Sequence, residues 1–163
     1  MHNKSTSASF SIVEVSSDLV QQTLPLVQVT WGAVDLTMWR AYVHHFSTQV
    51  APKVSGVLGL RDSVGCVCGI YSYEVERDLL LGPVLAVHLF TAVDIINSPQ
   101  TVRALLDTAE TQAIDLGCTA MRIRLRNIEV AFLGIDTGSS VSQEGRAESL
   151  SQLTCLLRSL EGK

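Results

Sequence analysis

Apolar and polar positions change their period several times along the chain, and each change marks an element. "SFSIVEVS" alternates through Phe10 and Ile12, with Val13 or Glu14 continuing the pattern, as a half-buried strand does. "SSDLVQQTLPLVQVTWG" moves to helical spacing, with Ser17 or Asp18 as N-cap candidate, Gly32 as the stop and Pro25 expected to kink or split the helix. "LTMWRAYVHHFSTQV" reads as a second helix. From Gly56 to Glu76 two β-rich runs flank the polar turn "RDSVG", which is a hairpin signal.

"GPVLAVHLFTAV" is continuous and rich in branched residues, as a strand covered on both faces requires, and belongs at the centre of a sheet. The next helix is the clearest in the chain. Ser98 can cap it, Pro99 suits its first turn, Val102, Leu105, Leu106, Ala109, Ala113 and Leu116 form one apolar stripe, and Gly117 ends it. "TAMRIRL" follows as a strand with Ala120, Arg122, Arg124 and Arg126 on one face, a face that should meet solvent or acidic partners. "IEVAFLGI" fits either a short helix or a strand. Residues 134–147, rich in Gly and Ser, read as a flexible loop, and residues 148–161 as an amphipathic helix with Leu150, Leu153, Leu157 and Leu160 on one stripe. Residues 1–8 read as a disordered or extended N-terminus.

With no repeat and no linker, the 163 residues are expected to form a single domain of the α/β (α+β) class, with helices flanking a mixed central sheet. A hydrophobic content of 47% against 17% charged residues describes a globular chain with a generous core. The net charge of -4 carries no basic excess, so nucleic acid is not an expected partner. No segment reaches the length of about 18 apolar residues that spans a membrane, and the first residues lack a secretory signal pattern, so the expected compartment is the cytoplasm. Cys66, Cys68, Cys118 and Cys155 lack metal-type spacing and read as buried thiols in a reducing compartment. His44 and His45 are adjacent on a helix, not four apart, so no metal is expected there. "GIDTGSS" matches an aspartic-protease string only by chance. Trp31, Trp39 and Tyr42 either line a cleft or pack the core, and the core is the favoured reading.

From Phe10 to Leu125 the order strand, helix, helix, hairpin, central strand, helix, strand resembles the GNAT acyltransferase superfamily. The similarity is carried by "VHLFTAVD", then by "RALLDTAETQAIDLGCTAMRIRL", which looks like that family's fourth strand, its third helix ending in Gly-Cys, and its fifth strand. The resemblance implies a GNAT-like, mostly antiparallel sheet with an atypical C-terminal part, and acetyl-CoA or another acyl-CoA as acyl donor to a small-molecule or peptide amine. The thioester carbonyl would meet backbone N–H groups near Phe90, Thr91 and Ala92. The CoA phosphates would meet the helix N-terminus at Asn97, Ser98, Gln100, Thr101, Val102 and Arg103.

Three departures follow from the same alignment. Asn97, Gln100 and Val102 stand where the family has Arg or Gln, Gly, and Gly or Ala, the small residues that let backbone close on a pyrophosphate. Val87 stands where a base-assisting Glu is usual, with His88 beside it as the candidate base on a neighbouring, opposite-facing position. No Tyr follows Tyr73, so the usual acid has no counterpart. Two functions are therefore carried: an acyl-CoA-dependent N-acyltransferase, or a catalytically inactive module acting through a homodimer or partner interface at an open sheet edge or the last helix.

Overall fold

A computed structural model describes residues 9–48, 54–92, 100–126 and 150–156. Their elements run β1 (Ser11–Glu14), α1 (Val20–Thr30), α2 (Leu36–Ser47), β2 (Ser55–Arg61), β3 (Val67–Asp78), β4 (Gly82–Ala92), α3 (Gln100–Asp115), β5 (Ala120–Arg126) and β6 (Leu150–Leu156). The six strands form one sheet in chain order. Every neighbouring pair is antiparallel except β4 and β5, which run parallel and are joined through α3.

Helices cover both faces. On one side α3 lays Leu105, Ala109 and Ala113 against Leu60, Tyr71, Tyr73, Leu85, Val87, Phe90, Met121 and Ile123, and Val102, Leu106 and Leu116 flank that stripe. The helix approaches β3 closely at Gly69, where a Cβ would stand 3.3 Å from both Leu105 methyl carbons. Gly117 ends it at a φ of 70°, a left-handed turn that suits glycine. On the other side α1 and α2 pack Val20, Leu26, Val27, Trp39, Val43 and Phe46 onto Val57, Ile70 and Leu89. Thr23 joins these two helices, since its hydroxyl bonds the Leu19 carbonyl at 2.8 Å and accepts the Trp39 indole N–H at 3.0 Å.

The fold corrects several sequence expectations. Residues 150–156 are a strand paired antiparallel to β5 from Ala120↔Leu156 to Arg126↔Leu150, not part of a helix over 148–161. Leucines at 150, 153 and 157 satisfy a helical period over so short a window, but an unfilled β5 edge supplies a hydrogen-bonding partner that local spacing cannot show. The edge expected to be open on β5 is thus occupied. Pro25 does not split α1; the helix runs from Val20 to Thr30 through it, with Pro25 exposed. The N-cap of α1 is Leu19, without a side-chain cap, because Ser17 and Asp18 fall before it. Ile12 is exposed, and the inward position just past β1 is Val15. Of Cys66, Cys68 and Cys118, only Cys118 is buried; Cys66 is exposed at the β2–β3 turn. Asn97, Ser98 and Pro99, residues 1–8 and the loop over 134–147 lie outside the described residues. No described helix is long and apolar enough to cross a membrane.

Candidate functional site

The site begins with an irregularity in β4. Ser72 pairs with Leu89 and Tyr73 pairs with Val87, so His88 is the extra residue of a β-bulge. The bulge changes which side chains face which helices. Before it, Leu85 and Val87 face α3; after it, Phe90 faces α3, whereas Leu89 packs towards α1 and α2 and Thr91 bonds Thr30 of α1 at 2.7 Å. At the same point the β4–β5 ladder stops, its final pair being Val87↔Ile123. Two parallel strands that part at a bulge leave backbone groups unclaimed by the sheet, and the bulged residue sits at the mouth of the gap.

His88 faces a cavity of about 340 Å³ under α1 and α2, together with Val27, Trp31, Val34, Met38, Trp39, Tyr42 and Leu89. The lining is apolar or aromatic, and two of its polar atoms are already committed. The Trp39 indole N–H donates to Thr23, and the Tyr42 hydroxyl shares a 2.7 Å hydrogen bond with Ser72. Ser72 also accepts the Leu89 N–H at 3.0 Å, so a side chain satisfies the amide next to the bulge. Burial raises the Tyr42 pKa, against a smaller opposing effect of the Ser72 bond, and the hydroxyl stays protonated at neutral pH.

Beyond the cavity runs a strip of charge. Alternate residues of β3 put Glu74, Glu76 and Asp78 on the α1/α2 face. His88 Nε2 lies 2.7 Å from Glu74 Oε1 and 3.8 Å from Glu76 Oε1. The Arg122 guanidinium reaches Glu76 at 3.5 Å and Asp78 at 2.9 Å. A carboxylate only accepts hydrogen bonds, so the Glu74 contact holds the proton on Nε2 and leaves the lone pair of the neutral imidazole on Nδ1. Asp78 accepts the N–H groups of Leu80 and Leu81; these bonds first, and then Arg122, hold its carboxyl below the usual carboxylate range. Glu74, Glu76 and His88 bring their polar atoms within 4.8 Å of one another, and with Nε2 donating to Glu74 the affinity of this group for a cation lies on the two carboxylates.

The sequence candidates scatter differently over this frame. His88 stands in the cavity wall, and Val87 is buried on the opposite face against α3. Trp31, Trp39 and Tyr42 line the cavity, and Trp39 is also fully buried in the core beneath it. Phe90 is buried towards α3, Thr91 is tied to α1, and Ala92 pairs with Gly69, all past the point where β4 and β5 part. Gln100 and Arg103 are exposed on the first turn of α3, while Thr101 is buried beside Gly69 and Val102 packs at the edge of the core. Sequence reasoning missed Glu74 and Glu76. Their signal is present as "SYEVERD", acidic residues two apart on a strand otherwise suited to burial.

No protein-family model matches the chain, and no curated protein sequence does. Solved structures do match it in shape. A GCN5-related N-acetyltransferase from Kribbella flavida superposes with a TM-score of 0.67 at 15% identity, over 91% of this chain and 98% of that one. Spermidine N-acetyltransferase from Vibrio cholerae, in complex with CoA and spermine, gives 0.66 at 9% identity over 91% and 95%. Glucosamine-6-phosphate N-acetyltransferase from Arabidopsis thaliana gives 0.63 at 10% identity over 84% and 98%. Identities this low speak for the architecture, not for the chemistry.

Proposed function

We propose that this chain, which has the fold of the GNAT acetyltransferases, is an acyl-CoA-dependent N-acyltransferase with His88 as its general base. The observation that carries this reading is the coincidence of three features at one residue. The β-bulge, the end of the β4–β5 pairing and the wall of an apolar cavity all meet at His88.

The described residues that would hold an acyl-CoA are those of the first turn of α3 and of β4 past the bulge. The α3 N-terminus offers N–H groups and the positive end of its dipole, with the exposed Gln100 and Arg103 beside them, and the parting of β4 from β5 opens backbone for a pantetheine arm. Bound there, acyl-CoA supplies a thioester carbonyl open to attack. The chain's own residues do the rest. Backbone amides of β4 beyond the bulge polarise the carbonyl oxygen, and the cavity walls hold the acceptor and exclude water. His88 Nδ1 takes the proton that the amine loses as its nitrogen forms the C–N bond and the C–S bond breaks. Passing one proton on to the departing thiolate returns the imidazole to its neutral form. Glu74 keeps the ring in the tautomer that this requires, in the way a carboxylate orients a catalytic histidine.

The test is acetyl-CoA binding followed by thermal shift. Stabilisation that saturates in acetyl-CoA and weakens by about fivefold or more in affinity on Arg103→Glu supports the reading, since each screened charge at a helix N-terminus is worth up to roughly 1 kcal/mol and the substitution changes the charge by two units. A flat response to millimolar acetyl-CoA would overturn it.

A further inference from the structure

We infer that the acceptor is a primary monoamine with a compact apolar or aromatic body, not a polyamine, an amino sugar or a peptide N-terminus flanked by polar side chains. The inference rests on the acyl-transfer reading only in calling this ligand an acceptor; the binding itself stands on the cavity. At about 340 Å³ the space lies at the small end of ligand pockets. Trp31, Val34, Met38 and Leu89 present hydrocarbon or ring faces, and the Trp39 N–H and Tyr42 hydroxyl are held by Thr23 and Ser72. A second ammonium or a set of hydroxyls entering this space would lose water and find too few partners, an unfavourable exchange for each group.

Charge enters the site at one end only. His88 stands there with Glu74 against it and Glu76 next to Glu74, while Arg122 is engaged with Glu76 and Asp78. Among the described residues, Arg124, exposed on β5, and the Tyr42 hydroxyl also face that end, and His45 lies behind Phe46, whose ring packs on His88. A single ammonium placed at Glu74 and His88 puts the attached carbon chain into the aromatic pocket. This polarity fits one cationic head and an apolar tail. It also sets the nitrogen beside His88: the ammonium first gives one proton to solvent to become the free amine, and His88 takes the second as the C–N bond forms.

Binding is measured on the full chain without any acyl donor, through the fluorescence of Trp31 and Trp39, the only two tryptophans in the chain, both in the cavity wall. Phenethylamine and isopentylamine are expected to change the emission saturably, and spermidine and glucosamine to leave it unchanged at the same concentrations. Met38 is half exposed at the rim, so Met38→Trp is expected to fold with an unchanged melting temperature, and because it adds a third tryptophan its binding is followed by titration calorimetry. Filling the cavity in this way should weaken phenethylamine by about tenfold or more, and Glu74→Gln should weaken it by about threefold to tenfold. Saturable spermidine or glucosamine binding that Met38→Trp also removes would overturn the inference, as would an absence of any response to both apolar amines. If the apolar amines bind but acetyl-CoA does not, the acyl-transfer reading fails and the monoamine site stands. Acetyl transfer to spermidine alone would do the opposite, sustaining acyl transfer and overturning the monoamine acceptor.

Discussion

Tyr71 carries a hydroxyl that is fully buried and has no hydrogen-bond partner among the described residues, and burial among its apolar neighbours raises its pKa well above the ordinary tyrosine value. A neutral group left unpaired in a core costs more than its removal, so Tyr71→Phe is expected to raise the free energy of unfolding by about 1 kcal/mol in urea titrations. A loss of that size would mean that the hydroxyl is bonded after all. Asp78 is the opposite case. Its folded-state pKa is lowered by the Leu80 and Leu81 N–H bonds and by Arg122. A depressed carboxylate contributes stability above its unfolded value of 3.8, and that stability disappears as pH falls through the lower folded value. Melting temperatures followed downward from neutral pH should therefore fall more steeply in the acid range for the wild type than for Asp78→Asn. Equal slopes would show that Asp78 has no such linkage. His88 is visible in the sequence as a lone histidine on an apolar strand, but its partner is not. The pairing with Glu74 depends on a bulge that shifts the β3–β4 register by one residue, and no local pattern encodes that shift.

At the scale of elements, α3 is readable because several cues agree: an apolar stripe, a left-handed glycine at its end and a sequence long enough to show the period repeatedly. β4 is readable for a similar reason, since continuous branched apolar residues suit a strand covered on both faces. Two elements depart from their local pattern, each through competition between local and distant interactions. In α1, Pro25 removes one N–H and sits against the preceding turn, yet packing of Val20, Leu26 and Val27 on the sheet holds the helix together across it. Since Pro25 is exposed, Pro25→Ala restores the bond to the Gln21 carbonyl and loses no core contact. The variant is expected to be more stable by about 1–2 kcal/mol, part of the intrinsic penalty being offset by greater freedom of the unfolded chain. A lower denaturation midpoint would show that the proline shapes the α1 path. In β6, helical spacing of leucines gives way to pairing with β5 along all seven register positions. Pairing with β6 covers the β5 edge and makes β6 the edge strand on that side among the described residues.

The whole molecule places two cores on opposite sides of one sheet and lets the sheet open between β4 and β5. The core beneath α3 buries Val87 fully, whereas the core beneath α1 and α2 keeps a cavity with His88 in its wall. In the proposed reaction donor and acceptor approach the parting strands from different sides and meet at the bulge, where His88 follows the last β4–β5 pair. The overall architecture is legible from the order of elements; the cavity is not, because it arises where α1 and α2 fail to fill the space above the bulge. The most direct measurement is amine-dependent release of CoA thiol from acetyl-CoA, compared between the wild type and His88→Ala with phenethylamine as acceptor. We predict turnover in the wild type, a fall in kcat of about 100-fold or more in the variant from loss of the general base, and unchanged acetyl-CoA binding. Equal turnover by the two proteins, or none in a wild type that binds both ligands, would contradict the account.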